Sequence, residues 1–320
     1  MTPIYNQLLI PFLTAMVVAI TMGGSGTAPA FSASYGANVM RKSLIPGLFG
    51  IMVFIGAFLA GKKTASTMGS GILPAEYMDF TVVSIALFSI AVTMLISNIS
   101  GIPQSTSQAA VLALAAPALY FGRLDTHNLF IEIIPAWFIL PIISYFLSFF
   151  AGKYIYQPMR RRGLTIQRAQ NENKRHIWDI VLVIMALYVS FAIGSNNVAN
   201  AAGPLYTMTI NELHIRESDH IVILMLATLV VAPCFGIGAS LFGHKILKNT
   251  GKEIILFGKF EAVIIAFISG SLLLLASVAK GIPTSLVQVN VAAILGIGVA
   301  KMGHKNIFRK TQVKRFFTMW

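Results

Sequence analysis

The chain is poor in charge, poorer in acids and almost free of cysteine. Charged residues fill 11% of its 320 positions, against about 25% in an average soluble domain, and that shortage excludes an ordinary solvated surface. One cysteine, Cys234, excludes an intrachain disulfide or a cysteine-based metal cluster and reads as an inert, buried thiol. The histidines (His127, His176, His214, His220, His244 and His304) make no pair at metal-ligand spacing on a helix, so neither metal nor cofactor is expected. The amino terminus has no basic segment or cleavage site of a signal peptide and reads as a first helix.

What the chain has is apolar length. Hydrophobic residues make up 56% of it, in runs long enough to cross the roughly 30 Å hydrocarbon core of a bilayer. The fold class is an all-α polytopic protein of the cell membrane. Spanning candidates fall at 4–22, 44–60, 80–99, 103–121 and 129–154, then at 177–193, 221–242, 254–278 and 283–300. This gives a first transmembrane repeat at 1–156, a basic linker at 157–176, a second repeat at 177–300 and a basic tail at 301–320.

The net charge of +13 is confined mainly to short stretches beside apolar runs. Arg160, Arg161, Arg162, Arg168, Lys174 and Arg175 crowd the linker, and Lys301, Lys305, Arg309, Lys310, Lys314 and Arg315 crowd the tail. By the positive-inside rule both are cytoplasmic, with the lipid bilayer as partner and no nucleic acid. Five crossings followed by four satisfy this and set Arg41-Lys42 inside, but leave Lys62-Lys63 outside against the rule. Either Pro-initiated segment would change the count if it were re-entrant.

One stretch occurs twice. Gly101-Ile102-Pro103-Gln104-Ser105-Thr106-Ser107-Gln108 returns 180 residues later as Gly281-Ile282-Pro283-Thr284-Ser285-Leu286-Val287-Gln288, identical at five of eight positions. Pro tolerates the first turn of a helix, and the hydroxyls after it stand beside free backbone N–H groups that attract anions. Two more pairs follow in the same order. Gly24-Ser25-Gly26-Thr27-Ala28-Pro29-Ala30 matches Gly194-Ser195-Asn196-Asn197-Val198-Ala199-Asn200, and Gly61-Lys62-Lys63 with Gly69 matches Gly243-His244-Lys245 with Gly251. Parity of crossings makes the halves antiparallel, the inverted-repeat plan of secondary transporters. Small and polar residues at Gly24 and Gly194 predict broken helices whose backbone faces a substrate, since such irregularity survives at membrane depth only around a cavity or inside protein.

The stretch 194–204 resembles the Gly-Ala-Asn-Asp-x-Ala-Asn signature of the inorganic phosphate transporter (PiT) family, and both Gly-Ile-Pro stretches resemble its Gly-x-Pro-x-Ser-Thr-Thr motif. The resemblance covers nearly the whole chain and implies inverted repeats, oxyanion transport by alternating access and, since family members are often dimeric, a homodimer. The signature aspartates, which the family associates with cation and phosphate binding, are replaced by Thr27 and Asn197. That departure is similar to the family's bacterial sulfate permease branch. Sulfate is a fully deprotonated dianion that only accepts hydrogen bonds, so a facing carboxylate would repel it.

The expected substrate is therefore sulfate or a close oxyanion such as thiosulfate. Its expected ligands are Ser25, Gly26, Thr27, Ser105, Thr106, Ser195, Asn196, Asn197, Thr284 and Ser285. Glu261, at the position of a family Gly-Phe-x-x-Glu stretch, is the candidate for coupling to H+. The bland alternative is an interfacial Glu261 paired with Lys259 or Lys252. Asp179 and Glu132 read as interfacial. The rival function is a sodium- or proton-coupled inorganic phosphate symporter, with an anion channel behind it. An enzyme would need paired catalytic groups that a lone Glu261 does not supply.

Overall fold

A computed structural model describes residues 4–100, 104–161, 172–244, 247 and 258–308. Eleven helices carry the fold: α1 Ile4–Gly36, α2 Ile45–Ala60, α3 Lys62–Ser70, α4 Phe80–Ser100, α5 Thr106–Tyr120, α6 Ile134–Phe150, α7 Glu172–Asn197, α8 Ala199–Leu213, α9 His220–Gly238, α10 Lys259–Leu275 and α11 Leu286–Met302. No strand occurs among the described residues. Among the described residues, seven helical stretches are long and apolar enough to cross a membrane, and α5 and α11 are two shorter apolar helices. Each of the nine spanning candidates thus meets a helix. The chain is a multi-pass membrane protein.

The two Pro-initiated helices are the apolar ones whose helical stretches fall short of spanning length. At 1.5 Å per residue, the 17 residues of α11 reach only about 25 Å, less than the hydrocarbon core. Each follows a longer apolar helix and packs against it, so α4–α5 and α10–α11 form two hairpins. Gly101, Ile102 and Pro103 lie outside the described residues, so the first connection is known from Gln104 onward.

Two helix crossings are built alike. Helix α2 lies against α7 and α9, and α1 lies against α4 and α9, while α10 packs on α7. Glycines set the tightest approaches. A Cβ on Gly56 would overlap the Phe191 carbonyl, and one on Gly194 the Val53 carbonyl, so α2 and α7 meet backbone to backbone. Gly238 stands the same way to Ile20, and Gly23 to Phe235, at the crossing of α1 and α9. Each crossing uses residues offset by 171 or 182 positions from those of the other. Without a hydrophobic driving force in lipid, such close packing is what holds helices together. Outside this core, α6 packs along α11.

The expected break after Gly24 is absent. Helix α1 runs unbroken for 33 residues through Gly23 to Pro29. Two hydroxyls bond back to their own helix, Ser25 Oγ to the Met22 carbonyl at 3.0 Å and Thr27 Oγ1 to the Gly23 carbonyl at 2.7 Å, so the polar residues are satisfied without unwinding. The second copy departs from a helix at one residue only. Val198 separates α7 from α8 yet keeps helical angles (φ −62°, ψ −34°). The basic linker is helical at both described ends, with Gln157–Arg161 and the start of α7 flanking residues outside the description. Lys301 and Met302, placed in the tail by sequence, close α11.

Candidate functional site

The two short helices start alike. Ser105 and Ser285 are their N-caps, with extended backbone, and both are buried. Each Oγ accepts from the N–H three residues on, Gln108 or Gln288, at 3.3 Å. That satisfies one of the four N–H groups a helix start leaves open. A second bond joins the two starts: Gln108 Nε2 donates to Gln288 Oε1 at 3.3 Å.

The last turn of α7 stands against both. Asn196 is fully buried. Its Nδ2 donates to Ser277 Oγ at 2.8 Å and to the Ile282 carbonyl at 3.0 Å. Its Oδ1 accepts from Ser107 Oγ and from the Thr284 N–H, both at 3.2 Å. One amide thereby uses its whole hydrogen-bonding capacity to tie α7 to each helix start. Asn200 lies one turn on, on the same helical face, and donates to Ser107 Oγ at 3.3 Å. Ser277 gives its own hydrogen to the Leu273 carbonyl at 3.0 Å.

The second connection is braced further. Trp137 Nε1 donates to the Pro283 carbonyl at 2.9 Å, and Lys63 Nζ to the Ala279 carbonyl at 3.1 Å. Gly281 turns in the left-handed region (φ +67°) with the Lys63 backbone against it, where a Cβ would be both strained and obstructed.

Three polar atoms of this region are buried without a partner among the described residues: Asn197 Oδ1, Asn200 Oδ1 and Thr284 Oγ1. An unpaired buried group costs about 1–3 kcal/mol, so these atoms are suited to a polar ligand. Ser105, Ser107, Asn196, Asn197, Asn200, Ser277, Thr284 and Ser285 carry no charge. Neutral donors beside two helix starts, each with the positive end of its dipole, make a place for an oxyanion.

The expected ligands divide into two groups. Ser105, Thr106, Thr284 and Ser285 sit at the helix starts, all buried, and Asn196 reaches both starts; Asn197 is buried at the end of α7. Ser25, Thr27 and Ser195 instead point their hydrogens at their own helices, Ser195 Oγ to the Ala192 carbonyl at 2.8 Å. Gly26 is a packing contact, its missing Cβ 3.2 Å from Phe49 Cζ. Ser107, Asn200, Ser277 and the glutamine pair join the cluster without having been expected as site residues. Asn200 had a signal, the four-residue spacing from Asn196, and Ser107 lies in the repeated stretch. Ser277 had none, being one serine in an apolar run.

Glu261 is elsewhere. It is 2% exposed in the first turn of α10, and Lys301 Nζ donates to its Oε1 at 2.9 Å. Lys301 lies about 24 Å along α11 from Ser285, so the pair fastens the second hairpin at its far end. Its ammonium also stands 5.6 Å from the Tyr156 ring. The pairing with Lys259 is corrected: Lys259 reaches Asp179 on α7 instead, because α10 packs on that helix. Lys252 lies outside the described residues. Glu132 pairs with Lys280 at 3.3 Å. No cluster of three or more His, Cys, Asp or Glu able to hold a metal occurs among the described residues.

Comparison with known proteins gives this geometry a context. A family model described as the phosphate transporter family matches residues 22–320. The chain is similar to the sulfate permease CysP of Bacillus subtilis, 31% identical over 98% of this chain and 82% of that protein. It is 26% identical to a probable low-affinity inorganic phosphate transporter of the same organism, over 91% and 87% of the two chains. A putative phosphate permease of Pyrococcus abyssi is 23% identical over 98% and 94%. Among solved structures, a sodium-dependent phosphate transporter shares the fold with a TM-score of 0.81 at 19% identity, covering 98% of this chain and 95% of that one.

Proposed function

Since the chain belongs to the phosphate transporter family and is an inorganic anion transporter of the cell membrane, we propose that its substrate is sulfate, with thiosulfate as a close analogue, imported together with protons. The observation that carries this reading is the uncharged cluster around Asn196, with Asn197 and Thr27 where the family has aspartates. A dianion without hydrogens needs donors and is repelled by a carboxylate at low dielectric. The hydroxyls of Ser105, Thr106, Thr284 and Ser285, the Asn197 amide and the two helix starts supply donors and positive dipoles. The similarity to a sulfate permease supports the same choice.

Transport proceeds by alternating access. The halves, taken as inverted repeats, rock against each other at the α2–α7 and α1–α9 crossings, and the anion sits between the helix starts. Glu261 carries the proton. While ionised it holds Lys301 and keeps the far end of the second hairpin closed; when protonated it releases that end.

A phosphate symporter, driven by sodium or protons, is the second reading, and a specific observation favours it. Asn197 Oδ1 and Asn200 Oδ1 are buried acceptors without partners, which suit the O–H that phosphate retains. Rotation of either amide exchanges its oxygen for its NH2, so the same residues also serve sulfate.

The deciding experiment is radiolabelled sulfate uptake into proteoliposomes under an imposed pH gradient, with phosphate or thiosulfate as competitor. Gradient-driven uptake that ignores phosphate supports the proposal. Strong competition by phosphate, or a requirement for sodium, replaces it with the second reading. In the same assay Glu261→Gln is expected to remove the response to the pH gradient, and a variant that keeps it rejects the proton role.

A further inference from the structure

Both helix starts carry the sequence of a capping box, Ser-x-x-Gln: Ser105 with Gln108, and Ser285 with Gln288. In a complete box the serine hydroxyl accepts from the N–H at the third helical position, while the side chain there turns back to the serine's own N–H. Here only the first arm is made, at 3.3 Å in both copies. The second arm is diverted. Gln108 Nε2 reaches across to Gln288 Oε1, from one half of the chain to the equivalent residue of the other. Among the described residues, neither serine N–H has an acceptor. Next to Ser285 stands the unpartnered Thr284 Oγ1, on a residue 1% exposed.

We infer that the glutamine pair is a switch on the anion site. While Gln108 and Gln288 hold each other, the N–H groups of Ser105 and Ser285 stay open to the oxyanion. When the halves part, the bridge breaks and each glutamine folds back to complete its own box, occupying the N–H that held the anion and so assisting release. The bond suits this task because it is neutral. A charge-assisted bridge would be stronger and slower to open, and a carboxylate at either position would repel the substrate. Both arms of the switch use groups already in place, and each glutamine needs only side-chain rotation to change partner.

The inference rests on the oxyanion reading, and the test separates the two. Full-length protein carrying Gln108→Cys and Gln288→Cys in a Cys234→Ser background is treated with a short bifunctional thiosulfonate. Radiolabelled sulfate binding and uptake are then compared before and after crosslinking. Binding is expected to persist while uptake falls at least about tenfold and returns on reduction, as a halted exchange of states requires. Undiminished uptake, or loss of binding together with uptake, overturns the inference.

A second variant keeps it exposed should the cysteine pair be inactive from the start. Gln288→Met can neither bridge nor complete the box, so it is expected to lower the maximal uptake rate with KM unchanged or reduced. A rise in KM with the maximal rate intact overturns the switch. Sulfate uptake by the unmodified chain is the control, with phosphate as probe if only phosphate is moved. Failure of both anions there rejects the function reading and this inference with it, whereas failure confined to the variants' expected pattern rejects this inference alone.

Discussion

The two hairpins begin alike and are held differently. Their starts share the N-cap serine, the glutamine three residues on and the same 3.3 Å capping distance. Around them the matches fail in a consistent way. At the offset of 171 that relates the α1 and α7 crossings, Asn196 and Asn200 of the second half stand where the first has Ser25 and Pro29, and Ser107, which both asparagines contact, corresponds to Val287. Where the amides are missing, their hydroxyl partner is missing too. The far ends differ as well. Glu261 and Lys301 are a buried ion pair, while the positions 180 residues earlier are Thr81 and Phe121. A repeated sequence has thus become a lopsided pair of helix starts, with one half supplying the amides that organise both.

The largest effect expected concerns the far ends. Lys301→Met leaves Glu261 buried without its ammonium, and breaking such a pair costs about 3–5 kcal/mol. Thermal unfolding in detergent should show a marked loss, whereas Phe121→Met at the equivalent position should shift it little. Equal shifts would mean the ion pair is no latch. Asn196→Ala comes next, because it strands the Thr284 N–H and the Ile282 carbonyl and takes one partner each from the Ser107 and Ser277 hydroxyls, at about 1–3 kcal/mol for a stranded group. Sulfate uptake should fall about a hundredfold, and a fall of less than about tenfold would remove Asn196 from the site.

Ser105→Ala and Ser285→Ala test the likeness itself. Each removes a cap worth about 1 kcal/mol and a hydroxyl that the proposed function assigns to the anion, so uptake should vanish in both with normal membrane insertion. A loss in only one would show that a single helix start binds the anion. The smallest effect is reserved for Val287→Ser, which restores the missing hydroxyl without its amides and should change stability by no more than about 1 kcal/mol. A large gain in uptake would show that the lopsidedness limits transport.

Much of this was legible in one dimension. Apolar length located each spanning segment, because crossing a bilayer demands it whatever the fold. The repeat located both helix starts, since proline and N-cap serines act through local backbone geometry. Local rules failed at Gly24, where glycines, Ser25 and Thr27 read as a broken helix. In the structure Gly23 serves the close crossing with Phe235, and the hydroxyls return to their own carbonyls. Polar residues in a membrane helix can satisfy themselves, and no pattern along the chain distinguishes that from exposure to a substrate.

The sequence by itself determined the membrane class, the two helix starts and the uncharged character of the residues that gather there, because each follows from composition or from contacts within a few residues. Only the tertiary structure decided that Asn196 serves both starts, that Glu261 is bound to Lys301 and that Gln108 faces Gln288. Those contacts join residues 40 to 180 positions apart, and such partners are chosen by how helices pack, which a local pattern does not encode.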